Sequence, residues 1–315
     1  MSPSGSPPTP DVERELATPY RVDLRAVLAP FERGRRDPAQ LALGDGTLWR
    51  TMRSPEGPAT LRLRMVSPDV VACAAWGAGA DWAVSSVPGL LGFADDPAGF
   101  PHELLPDRLK PVWRRHGGRL RTLRSELVVE ALVAAILEQK VTGVQSRRAW
   151  AALLAEAGDA APGPTPREMR VFPTLSALRA IPSWTWHRWG VEPPQSATIM
   201  RVGRVAWRLE ECAVLPGAEA RRRLAAVPGI GGWTIAEVGQ RALGDADAVS
   251  FGDYHLAGAV VFAFTGESGG TDERMADLLA PFAGHRNRVQ RLVELSGVGP
   301  PARGPRLTIA DHRRH

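Results

Sequence analysis

The sequence predicts an α+β protein: a small amino-terminal antiparallel sheet carrying helices, followed by a larger, mainly helical part. Three observations carry this expectation. The stretch "TLRLRMV" alternates, with Leu61, Leu63 and Met65 on one face and Arg62 and Arg64 on the other, as a half-buried strand does. From about Pro101 onward such alternation gives way to helical spacing. Residues 127 to 137 carry one polar side chain, Glu130, so that helix should be buried on nearly all sides.

Residues 1 to 18 are rich in Pro, Ser and Gly and are expected to be disordered. A β-rich domain is expected over 19–100. Its strands are "TLWRTMR", "TLRLRMV" and "DVVACAAWG", the first two joined by a turn at Ser54-Pro55-Glu56-Gly57-Pro58. "ADWAVSSVPGLLGF" then reads as a helix. A helical domain is expected over 101–297. It opens with two helices in "SELVVEALVAAILEQKVTGVQSRRAWAALLAEAG" and continues through "PTLSALRAI", "PPQSATIMRVGRVAWRLEEC", "EARRRLAAV", "WTIAEVGQRALG", "DYHLAGAVVFAF", "DERMADLLAPF" and "HRNRVQRLVELSG". Trp184, Trp186 and Trp189 in "IPSWTWHRWG" either line a pocket or staple a loop to the helices, and stapling is the expectation for at least two. A Pro- and Arg-rich tail covers 298–315.

The composition is that of an ordinary globular chain, with 44% apolar and 23% charged residues. No apolar run approaches the roughly 20 residues that cross a bilayer. The first residues lack the basic-then-apolar order of a signal peptide, so a cytoplasmic location is expected. The net charge is +5, and of the 39 basic residues only Lys110 and Lys140 are lysines. Arginine forks suit phosphate, although a GC-rich genome produces the same bias. Two distant cysteines, Cys73 and Cys212, cannot supply the four ligands of an iron–sulfur cluster or a structural zinc site.

The most informative segment is "LAAVPGIGGWTIAEVGQRALGDADAVSFGDYHL". Two helices flank a turn too short for an ordinary loop, and glycines supply the φ > 0 angles that a tight reversal needs. Gly229, Gly231 and Gly232 leave backbone N–H groups bare at a helix start, which is an anion site. In the second helix Ile235, Val238 and Ala242 share one face, and Thr234 and Glu237 have capping-box spacing. Asp253 sits where it can cap the following helix. Asp245 and Asp247 read as solvated loop residues.

This string resembles the helix–hairpin–helix plus Gly/Pro…Asp signature of the DNA glycosylase superfamily (HhH-GPD), in order, spacing and residue type. "ALVAAILEQKVTGVQSRRAW" is similar to the family's helix and turn that place a residue in the DNA stack. "HRWGVEPPQSATIM" is similar to the segment that positions the next helix. The early sheet is similar to the amino-terminal domain of the inducible 3-methyladenine DNA glycosylase branch. Together these cover roughly Tyr20 to Gly297.

The resemblance implies a monomeric, monofunctional glycosylase acting on double-stranded DNA with damaged, alkylated purines, without redox cofactor or catalytic metal. It makes Asp253 the catalytic acid and the hairpin, with Gly229, Gly231, Gly232 and Thr234, a phosphate grip. Trp233 replaces the lysine that lyase members carry after the hairpin, and an indole forms no Schiff base. Trp233, Tyr254 and His285 would line the base pocket, the last where relatives have an aromatic ring. Lys140 would fill the gap left by the extruded nucleotide, Gln139 would touch the orphaned base, and Arg286 would reach the DNA backbone. A monovalent cation would sit on the carbonyls of Ala225, Val227 and Ile230. The alternative is a protein that grips damaged or bent DNA without cutting it, which the unusual residues at Lys140 and His285 keep open.

Overall fold

The computed structural model describes residues 8–301; the proposed tail beyond 301 and the first seven residues lie outside that range. Five antiparallel strands form one sheet in the order β1-β5-β4-β3-β2: β1 Val12–Ala17, β2 Gln40–Ala42, β3 Leu48–Ser54, β4 Gly57–Ser67 and β5 Val70–Trp76. The three central strands and the tight β3–β4 turn are those the alternation predicts. β1 corrects the expected disorder at residues 12–17. Its polar sequence, VERELA, pairs with β5 from Val12 opposite Ala75 to Ala17 opposite Val70, so backbone pairing at a sheet edge outweighs low apolar content.

Leu48, Met52, Leu61, Leu63 and Cys73 face α1 (Leu24–Leu28), α2 (Ala80–Ser85) and α3 (Val87–Leu90), so the one helix expected at 80–93 is two short ones. On the other face Trp49 stacks on Trp76 with ring centroids 5.4 Å apart. Met169 covers that stack, beside a two-residue pairing of β6 (Asp159–Ala160) with β7 (Arg170–Val171).

The helical part packs as two clusters. The first centres on α5 (Val128–Glu138), in which residues 128–137 are all buried. Around it lie α6 (Gly143–Ala157), α7 (Leu175–Ala180), α8 (Ser183–Arg188), α9 (Pro193–Arg204), α10 (Ala206–Glu210), α11 (Gly217–Ala225) and α12 (Gly232–Val238). Trp186 and Trp189 are buried here, ring edge to ring face, whereas Trp184 is 72% exposed; two of the three are staples. The second cluster joins α13 (Leu256–Thr265), α14 (Asp272–Leu279) and α15 (Arg286–Ser296) to Phe100, Leu105, Leu109 and Leu120, around the short α4 (Lys110–His116). A buried ion pair, Arg50 on β3 to Glu130 on α5 at 2.7 Å, ties sheet to helices. Among the described residues no helix is long and apolar enough to cross a membrane.

Candidate DNA-lesion site

α11 and α12 are joined by the reversal Val227–Gly231. Only Gly229 has positive φ, at +95°, and a Cβ there would lie 2.2 Å from Thr198 Oγ1, so this glycine is demanded by the fold. Gly231 (φ −102°) and Gly232 have ordinary backbone angles, contrary to the expectation that all three supply φ > 0. Both are exposed, and a Cβ on either would meet nothing within 4 Å. No neighbour among the described residues requires their smallness. The first intrahelical bond of α12 runs from Ile235 N–H to Gly231 C=O, leaving the amides before it at the positive end of the helix.

The turn is braced from α5. Gln195 donates to the carbonyls of Ile136 and Gln139, fixing the end of α5. Gln139 Nε2 then donates to Gly229 C=O at 3.0 Å and Thr234 Oγ1 at 2.9 Å. This corrects two assignments. Thr234 is buried against Gln139, with no surface for DNA, and the amide donors of Gln139 are directed at the hairpin rather than at a base. The capping box also fails: Gly231 is the N-cap and no side chain bonds to it. Lys140 follows, exposed at φ +55°, a left-handed conformation that costs a non-glycine residue about 1–2 kcal/mol.

Past α12 the helix widens into a π turn over 239–243 before Gly244 stops it at φ +69°. Such single-turn π bulges inside helices are frequent at functional sites. Here Gln240 and Arg241 join Trp233 and Glu237 along a cleft of about 410 Å³ between the two helical clusters. The opposite wall carries Ser250, Asp253, His255, Gln290 and Glu294, with Glu138 and Pro30 at the side.

Asp253 is half-buried. Its Oδ1 accepts N–H from His255 at 2.8 Å and Leu256 at 2.9 Å; α13 starts two residues later than expected, with His255 at its N-cap position, so Asp253 holds the helix start from the turn before it. Its own N–H donates to Ser250 C=O, and Gly252 N–H donates to Asp272 Oδ2 at 2.7 Å, which pins the loop. Neither cap bond uses Oδ2.

Beneath Trp233 lies a polar network that single-residue reading missed. Ser250 Oγ donates to Glu237 Oε1, whose Oε2 pairs with Arg241. Gln240 donates to Ser250 Oγ at 2.9 Å and Ala248 C=O at 3.1 Å, and Gln290 donates to Glu294 at 2.9 Å. The usable signal was Glu237 one turn after Trp233, a carboxylate on a helix face otherwise directed inward.

Three expected site residues fall elsewhere. Tyr254 is 88% exposed, its ring against His255 rather than in the cleft. His285 packs edge-on to Phe100 at 5.8 Å and lines no part of the cleft. Arg286 forks onto Asp247, which also accepts the N–H groups of Gly284 and Arg286. Asp247, expected to be solvated, instead anchors the start of α15. Burial raises the pKa of its carboxyl, but the Arg286 bonds and charge outweigh burial and hold it below the usual range.

The tight turn between α11 and α12, the acid at the start of α13 and the sheet-plus-helices architecture define the class: the chain has the fold of the helix–hairpin–helix DNA glycosylases. It is similar to the 3-methyladenine DNA glycosylase of Archaeoglobus fulgidus, with a TM-score of 0.76 over 90% of this chain and 98% of that one at 17% identity. It is also similar to the 8-oxoguanine glycosylase/lyase of Clostridium acetobutylicum in complex with double-stranded DNA. There the TM-score is 0.67 over 92% and 99% of the chains, at 12% identity. The Schizosaccharomyces pombe 3-methyladenine DNA glycosylase, solved with abasic DNA, matches 62% of this chain and 96% of its own with a TM-score of 0.51 and 15% identity. No family model and no curated protein matches the sequence.

Proposed function

We propose that this protein is a monofunctional DNA glycosylase that removes alkylated purines from double-stranded DNA. The observation that carries this reading is that Asp253 and Trp233 line one cleft directly behind the glycine turn. Exposed Gly231 and Gly232 let a phosphodiester approach the α12 amides, a contact without sequence preference. The damaged nucleotide is extruded, at a cost of a few kcal/mol that is least for a damaged base. Lys140 occupies its place with the methylene stem, and Trp233 stacks on the base.

An N-alkylated purine carries positive charge, so the indole face attracts it. The same charge makes it a good leaving group. When the C1′–N bond breaks, its electron pair goes to the base, which departs neutral. The sugar takes on oxocarbenium character, stabilised by the Asp253 carboxylate through space. Water adds to C1′, and its proton passes to Asp253 Oδ2 and on to solvent. No amine follows the hairpin, so the product is an intact abasic strand.

The reading includes a monovalent cation at the hairpin, held by the carbonyls of Ala225, Val227 and Ile230. Ala225 ends α11, where carbonyls lack helical partners, and Val227 C=O accepts Ile230 N–H at 3.0 Å with a lone pair to spare. A cation there would add positive charge beside the phosphate.

Chromatography of bases freed from methylated DNA tests the proposal. Release of 3-methyladenine or 7-methylguanine is the expected result. Tight binding to abasic DNA without any base release would establish the non-cutting alternative instead.

A further inference from the structure

The cleft is acidic in a protein whose net charge is +5. Four carboxylates line it, Glu138, Glu237, Asp253 and Glu294, with two guanidinium groups, Arg241 and Arg291, in the same lining; Glu138 is paired from outside the cleft by Arg33. Both guanidinium groups are spent on carboxylates: Arg241 on Glu237, and Arg291 on Glu294 at 2.6 Å. The amides of Gln240 and Gln290 donate within the protein, to Ala248, Ser250 and Glu294. The wall under Trp233 therefore has few donors left to give and many acceptor lone pairs.

We propose that Glu237 is the specificity-determining residue of this cleft, a buried acceptor that selects bases carrying positive charge and N–H donors over neutral bases. This rests on the glycosylase reading above and names a contact within it. Glu237 follows Trp233 by four residues, so the two side chains lie one above the other on α12. A base stacked on the indole has its edge directed at the carboxylate. Glu237 is 6% exposed, and Ser250 Oγ and Arg241 fix its two oxygens in one orientation. Each oxygen has two lone pairs and spends one on these partners, so each can accept a further N–H.

Low dielectric makes the match matter. A cationic base with an exocyclic amine gains both charge attraction and a charge-assisted hydrogen bond. A neutral base that turns a carbonyl to the same wall meets an acceptor with an acceptor. Hypoxanthine and 7-methylguanine share the C6 carbonyl and N1–H, so the pair isolates what only 7-methylguanine has, the positive charge and the exocyclic 2-amino donor.

The test compares single-turnover release of 7-methylguanine and hypoxanthine from matched duplexes. The native protein is expected to favour the cationic base by 100-fold or more. Glu237→Gln keeps the shape and leaves Arg241 uncompensated, so it should cut 7-methylguanine release at least 100-fold and hypoxanthine release much less. Glu237→Gln combined with Arg241→Leu removes the pair without leaving a bare charge, and should show the same collapse of preference. Affinity for abasic DNA reports whether each variant is folded. Equal release of the two bases by the native protein overturns the proposal without recourse to variants. So does an equal loss on both bases in a variant that still binds abasic DNA. No release of any base by the native protein defeats the glycosylase reading itself.

Discussion

Gln139 donates a 2.9 Å hydrogen bond to Thr234, which ties the end of the core helix α5 to the start of α12. The same nitrogen reaches Gly229 C=O, so the turn that presents Lys140 is hydrogen-bonded to the turn that presents the α12 amides. Gln139→Ala should cost about 1–2 kcal/mol in urea unfolding, the price of leaving a partly buried hydroxyl and carbonyl without their donor. It should also slow base release by a similar factor opposite each of the four bases. A loss that depends on the opposite base would show that Gln139 touches the orphaned base after all.

The three hairpin glycines should separate cleanly. Gly229→Ala forces a Cβ into Thr198 at a positive φ and is expected to destabilise by several kcal/mol. Gly231→Leu and Gly232→Leu enter open space, so melting should change little while affinity for DNA of any sequence falls at matched salt. Unchanged affinity in both would reduce the hairpin to a structural turn.

Lys140 is the amine nearest the hairpin brace, and it is exposed. Borohydride reduction during turnover should trap no covalent adduct, and abasic product should be nicked only by later heat or alkali. Lys140→Gly relieves a left-handed lysine at the cost of chain entropy, so stability should shift by less than about 1 kcal/mol. Release from duplex DNA should slow because the extruded nucleotide's gap is no longer filled. An adduct that vanishes in this variant would make Lys140 catalytic.

The sheet core, α5 and the hairpin were legible because each rests on local patterning: alternation at Leu61, Leu63 and Met65, a nearly unbroken apolar run, and a proline–glycine turn before a helix. β1 was not, since VERELA has too little apolar content to declare itself and is held by its pairing with β5. The site was half legible. Asp253 and Trp233 are adjacent to the motif and do line the cleft, whereas His285 and Arg286 were assigned by position in a helix start. Their side chains are captured by Phe100 and Asp247, partners remote in sequence. Of the Glu237–Ser250–Gln290 network only Glu237 was signalled, by its place one turn after Trp233; Ser250 and Gln290 are partners remote in sequence.

Stability should depend on Glu210. Burial pushes its pKa up to about 7, only partly offset by N–H bonds from Val129 and Val128 at the start of α5. A carboxyl with a raised folded pKa contributes stability that is full below its unfolded value and lost as pH rises through 7. Stability should therefore decline from about pH 4.5 to 7, by an amount on the order of 3 kcal/mol from this group. Glu210→Gln should remove most of that slope in denaturant unfolding at pH 5 and pH 8. An unaltered slope would place the titration elsewhere.

Asp253 as the catalytic carboxylate is tested by single-turnover release of 7-methylguanine by the native protein and by Asp253→Asn. Asparagine caps helices as well as aspartate does, so α13 and the melting temperature should be preserved. The variant loses only the negative charge and the proton acceptor. Release should fall about 10²–10⁴-fold with undiminished binding to abasic DNA. Native-level release by a folded Asp253→Asn would contradict that role, leaving Asp253 as a helix cap and the chemistry to another residue.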